Sequence, residues 1–293
     1  MLGTMSIAIP NGPRPGRMRP GPARITALAP FALLLSMIAT SPGMAQEAAN
    51  TVRMVPHEAR YDVSLLELRS ANKGSAGGIF LVRVARSCDG WSLDSDLQVQ
   101  IETQEGGATL IESRSRYEEI LTEAGGRLIF RQSQSVDGTP LSATAGEARR
   151  GPEGGEARFE RPAGTTLSLP PDTAFPVSGS LNAMRRLFGG EKMVSQMLFD
   201  GGEDGALLTV DLAAGTPEPA PEGVRGDRDL LRGRMLRTVT AFYAPDQPDS
   251  EPLSTYVSDM YDNGVAARLS IDVGLATIDA ELSAIRRLPD PEC

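Results

Sequence analysis

His57-Glu58-Ala59-Arg60-Tyr61-Asp62-Val63-Ser64-Leu65 alternates between apolar and polar residues from Ala59 onward. Ala59, Tyr61, Val63 and Leu65 fall on one side, with Arg60, Asp62 and Ser64 on the other. Successive side chains of an extended chain point to opposite faces, so this stretch is a strand with one face buried and one wet. A helix would scatter the same apolar residues around its circumference.

The pattern recurs downstream. Residues 79–85 form a second strand, and Leu97, Val99 and Ile101 alternate with Gln98 and Gln100. Residues 109–121 and 127–133 read as a strand pair joined around Gly125-Gly126, and Val136-Asp137-Gly138-Thr139 reads as a turn. Residues 205–212 and 234–243 read as strands. Tyr256–Met260 and Val265–Ile271 flank Asp262-Asn263-Gly264, a hairpin signal. Residues 276–288 read as a strand, although Ile278, Leu282 and Ile285 would also share a helix face.

Between these lie the Gly-rich turn Asn72–Gly78, the weakly apolar 140–165, which fits short strands separated by a loose loop (Ala157–Glu160 a candidate), and the Pro-containing exposed loop 215–229. One helix stands out. Pro170-Pro171-Asp172 with Phe175-Pro176 forms a stiff turn before it, Ser178 or Ser180 is placed to cap it, Leu181, Met184, Leu187 and Phe188 share a face, and Gly189-Gly190 stops it. Residues 192–199 fit a second short helix or a strand. Many short, turn-bounded strands with so little helix predict a mainly β protein built on one antiparallel sheet system.

The N-terminus has another purpose. Arg14, Arg17, Arg19 and Arg24 precede a mostly apolar run from Ile25 to Ala39, and Gly43 and Ala45 supply small residues for cleavage. This predicts a signal peptide over 1–45, a flexible leader over 46–56 and a single domain over 57–293. The expected product is soluble in an oxidising compartment, with no transmembrane anchor after cleavage.

Composition excludes several functions. The 293 residues carry 29 Lys plus Arg against 38 Asp plus Glu, a net charge of −9, which disfavours a general nucleic-acid binder. Two cysteines and one histidine cannot build a Cys/His zinc cage. No phosphate-binding glycine loop and no G-x-S-x-G is present, and His57 opens a strand. Asp200-Gly201-Gly202-Glu203-Asp204-Gly205 has acids at the first and fifth positions of a calcium loop, but Gly202 stands at the third and Asp211 replaces the glutamate wanted at the twelfth, so it reads as a turn. No cofactor or metal is expected. The remaining enzymatic reading is a carboxylate-dependent hydrolase of cell-wall or lipid substrates, for which sequence cannot select the pair.

Cys88 and Cys293 form an even pair that reads first as a disulfide in an oxidising compartment. Redox or intermolecular pairing stays open. Trp91 follows Cys88 by three residues and is expected in the core nearby.

Several segments together resemble the alphaproteobacterial cell-envelope integrity family EipB: His57–Leu65, Cys88-Asp89-Gly90-Trp91, Phe175-Pro176, Phe199-Asp200-Gly201, Tyr256, Asp262-Asn263-Gly264-Val265, Leu288 and the terminal Cys293. The resemblance implies a periplasmic protein folded as a single long curved, spiral-like antiparallel β-sheet with a helix across it. It implies a disulfide that maps onto Cys88 and Cys293, a role in envelope integrity under stress, partners with helical repeats, and no enzymatic activity. Within it, Tyr61, Trp91, Phe175 and Phe199 are the candidate structural or binding residues, and the expected ligand is a periplasmic protein, a lipid or a peptide held by the curved sheet.

Overall fold

The computed structural model describes residues 52–69, 73–104, 107–122, 125–247 and 249–293. The expected signal peptide and residues 46–51 of the leader lie outside them. The strands are β1 (His57–Leu68), β2 (Gly74–Arg86), β3 (Gly90–Thr103), β4 (Ala108–Thr122), β5 (Gly125–Val136), β6 (Thr139–Gly151), β7 (Gly154–Arg161) and β8 (Thr166–Leu169). Helix α1 (Pro176–Phe188) follows. Then come β9 (Met193–Leu198), β10 (Leu207–Ala213), the two-residue β11 (Arg225–Gly226), β12 (Met235–Tyr243), β13 (Ser254–Tyr261), β14 (Ala266–Asp272) and β15 (Ala276–Arg287).

All of them belong to one sheet, ordered β8-β7-β6-β5-β4-β3-β2-β1-β15-β14-β13-β12-β10-β9, with β11 beside β15. Every neighbouring pair along that path is antiparallel. Two meanders therefore meet at one seam, where His57 of β1 sits opposite Arg287 of β15. The seam is pinned from inside: the buried Tyr61 hydroxyl donates to the Ala266 carbonyl at 3.1 Å, and its ring lies 5.7 Å from Phe80.

The sheet curls because one face carries the apolar residues. Its far ends approach each other at Phe199, whose ring lies 5.5 Å from Phe130 of β5 and 6.4 Å from Phe159 of β7. β8 and β9 do not pair with each other. Ala174 instead docks on the end of β9, donating to Met197 at 2.8 Å and accepting from Phe199 at 3.0 Å. The result is a barrel-like spiral with α1 inside its opening.

Several local expectations change. The strands expected within 140–165 are present but longer, and the loose loop between them is absent, since β6 and β7 are joined by a tight turn. On β6 the inner positions Thr144, Gly146 and Ala148 are small, and a Cβ on Gly146 would meet the Arg158 carbonyl at 2.2 Å and the Phe130 ring at 2.9 Å. The Gly-rich 72–78 segment is largely strand, since β2 begins at Gly74 and runs through Gly77 and Gly78 opposite Gln100 and Val99. Residues 215–229 cover the sheet rather than hang free, with β11 parallel to β15 and Val224 and Leu230 buried beside them. Residues 52–56 are also docked, as Arg53 and Val55 donate to Asp262 and Asn263 at 3.1 and 3.0 Å. Residues 193–198 and 276–287 are strands, and α1 is the one α-helix among the described residues. The Asp137-Gly138 turn holds as expected, both residues having positive φ (50° and 74°) as a two-residue hairpin requires.

His57 is buried, with Nδ1 2.7 Å from the Val55 carbonyl. Burial pushes its pKa below the ordinary 6.5, more than the Val55 hydrogen bond raises it. The unfolded chain thus binds a proton that the folded chain refuses. Stability falls as pH drops below 6.5 toward the folded-state value. His57→Gln should flatten the stability curve between the imidazole and carboxylate ranges. Denaturant midpoints across that window check this, and an unchanged slope would assign the dependence elsewhere.

Candidate functional site

Helix α1 packs against β9 and β10 on one side and β3 and β4 on the other. It is held at its N-terminus by an acid from a distant strand. Phe175 occupies the cap position and offers no side-chain cap. Ser178 and Ser180 do not cap either, because their hydroxyls donate to the Phe175 and Pro176 carbonyls. The capping group is Glu119 of β4, 1% exposed, whose Oε2 accepts the Val177 and Ser178 N–H groups at 3.0 Å each. Arg150 of β6 completes the anchor, 3.9 Å from Glu119, 3.1 Å from the Ser178 hydroxyl and 5.0 Å above the Phe175 ring.

The helix flank is fixed on β9. Asn182 donates to Gln196 at 3.0 Å, and Gln196 donates to the Gly179 carbonyl at 3.0 Å. Gly179 has little room for a side chain, since its Cβ would meet Leu198 and Ala174 at 3.0 and 3.1 Å. Ala183 and Leu187 pack on Val194, while Met184 packs with Val52 and Met260.

Between helix and sheet a cavity of about 100 Å³ remains. Its roof is apolar, made by Ala183, Met184, Leu187 and Phe188. Its floor carries hydroxyls. Thr209 donates to the Gln196 carbonyl at 3.1 Å, Thr240 donates to Asp211 at 2.6 Å, and Thr238 and Ser258 share a hydrogen bond at 2.6 Å. Burial raises the Asp211 pKa, and the Thr240 hydrogen bond opposes that rise. Asp200 also lines the cavity, its carboxylate accepting the Gly202 N–H at 3.1 Å in a turn. Such a surface suits an amphipathic guest that shields its apolar part under the helix and hydrogen-bonds along the floor.

None of the candidate residues from the sequence lines this cavity. Tyr61 braces the seam. Trp91 is partly buried under the Arg86 guanidinium at 5.6 Å. Phe175 and Phe199 are fully buried on either side of the Ala174 bridge, where they close the spiral. Gly201 lies against this closure with φ +95°, and a Cβ there would stand 2.4 Å from Phe130. Cys88 and Cys293 are joined by a disulfide with a Cα–Cα distance of 5.7 Å. The cavity residues that sequence reading missed are the floor hydroxyls.

The family model that matches residues 48–289, most of the chain, decides the family. This chain belongs to the EipB-like family. As an EipB-like protein it is similar to the cell envelope integrity protein EipB of Brucella abortus (strain 2308), 23% identical over 240 residues covering 78% of this chain and 83% of that one. It is also similar in fold to a crystal structure of a β-barrel-like protein of a domain of unknown function from Brucella abortus. That likeness has a TM-score of 0.70 at 20% identity, covering 81% of this chain and all of the other.

Proposed function

We propose that this EipB-like chain is a non-enzymatic factor of cell-envelope integrity, exported to the periplasm, that holds a lipid or peptide segment beneath α1. The carrying observation is the cavity, with its apolar helical roof and hydroxyl floor. The name of the Brucella abortus relative supports the envelope role. A periplasmic protein with helical repeats is the proposed partner. The competing hydrolase reading draws on Asp200 and Asp211, which line the same cavity.

One experiment separates the two. Cells lacking the protein should become more sensitive to envelope stress. Ser180→Trp, which puts an indole into the cavity, should fold with a near-parental melting temperature and fail to restore resistance. Asp211→Asn should restore it. Rescue by Ser180→Trp together with failure of a folded Asp211→Asn would discard the binding role in favour of carboxylate chemistry.

A further inference from the structure

The outer face of β2 to β5 carries a row of charges directly opposite one another: Arg83 faces Asp94, Asp94 faces Arg116, and Arg116 faces Arg131. Opposed residues on neighbouring strands hold their Cβ atoms about 5 Å apart, and like charges so placed repel. Elsewhere the protein neutralises such neighbours. Arg127 and Arg149 face each other across β5 and β6, and Glu147 pairs with both. Arg237 and Arg268 are bridged by Glu218 at 3.5 and 2.8 Å. Among the described residues, no acid bridges Arg116 and Arg131. Asp94 is committed to Arg116 at 2.7 Å, and Asp96 and Glu112 are committed to Arg114 at 3.1 Å each. Arg83 and Arg131 are exposed and have no ion pair or hydrogen bond among the described residues.

The three arginines border a groove of about 450 Å³ that also contains Leu81, 43% exposed. Guanidinium forks match phosphate oxygens in geometry and charge. We infer that this groove is a second binding site, one that takes the phosphate of a lipid headgroup between Arg116 and Arg131, with Arg83 as the outlying contact. Leu81 selects a lipid over free phosphate, because only the lipid brings apolar surface to cover it. The positive row stands out on a chain whose net charge is −9. It lies on the opposite face of the sheet from the cavity under α1, since the adjacent Val82, Val84 and Phe130 point into the core. The two sites therefore stand or fall separately.

Co-sedimentation of the full mature chain with vesicles at low ionic strength tests the inference. The protein should bind phosphatidylglycerol vesicles and leave phosphatidylcholine vesicles free. The double variant Arg83→Gln/Arg131→Gln breaks no ion pair, so its melting temperature should match the parent while vesicle affinity drops about 25-fold. Arg158→Gln removes one positive charge, that of the pair with Glu156 on β7, and should bind nearly as the parent does. Absence of binding to phosphatidylglycerol, equal binding by the double variant, or an equal loss in Arg158→Gln would each overturn the site. Calorimetric binding of inorganic phosphate without vesicle binding would overturn the lipid assignment.

Discussion

Replacing Cys88 or Cys293 with serine lowers the unfolding free energy by roughly 5 kcal/mol in the loop-entropy limit, with shortfalls common in practice. The size follows from the length of chain closed, since the two cysteines are 205 positions apart. Placement adds to it. Cys88 sits in the turn between β2 and β3, and Cys293 ends the tail that leaves β15. In the sheet the order is β3-β2-β1-β15, so the bond crosses the seam that joins the two meanders. Without it the C-terminal tail keeps the Leu288 N–H bond to the Pro56 carbonyl at 3.0 Å and then frays. Guanidinium unfolding of parent and variants, each checked as monomer, measures the effect. Equal midpoints would show that the bond does not staple the fold, and two free thiols in protein from its native compartment would show that it does not form there.

Glu119→Ala should cost about 3 kcal/mol, because the change strips a buried acceptor from two helix amides and leaves them unsatisfied. It should also loosen the roof of the cavity. The N–H groups of Val177 and Ser178 lose their shared acceptor, and Arg150 loses its carboxylate neighbour at 3.9 Å. Hydrogen exchange at those amides reads the local effect and denaturant unfolding the global one. Glu119→Gln keeps an acceptor in place and should lose less than half as much. Unchanged protection of both amides in the alanine variant would mean that α1 is held by its apolar face alone.

This anchor shows where sequence reading reaches its limit. Alternation along β4 puts Glu119 on the same face as Tyr117 and therefore inside. In the sequence, though, Glu118-Glu119 looks like a solvated pair, and no local rule links it to a helix start 58 residues later. The cavity floor was hidden for a related reason. In β12, Thr238 and Thr240 alternate with Val239 and Ala241, and a period of two identifies two faces without saying which is inner. Leu236 and Phe242 lie on the threonine face and Met235, Val239 and Tyr243 on the other, so hydrophobicity does not separate the two, and it is the threonines that face the cavity.

What the amino-acid order determined by itself is local. Strand alternation, the Asp137-Gly138 and Asn263-Gly264 turns and the lone amphipathic run 180–188 specify consecutive antiparallel hairpins and one helix, because each depends on neighbours within a few positions. Only the tertiary structure decided that β1 pairs with β15, that the sheet ends curl together at Phe130, Phe159 and Phe199, and that α1 roofs a hydroxyl-lined space. Those choices join residues distant along the chain. They are made by the burial of whole faces, a quantity that exists only once the chain has collapsed.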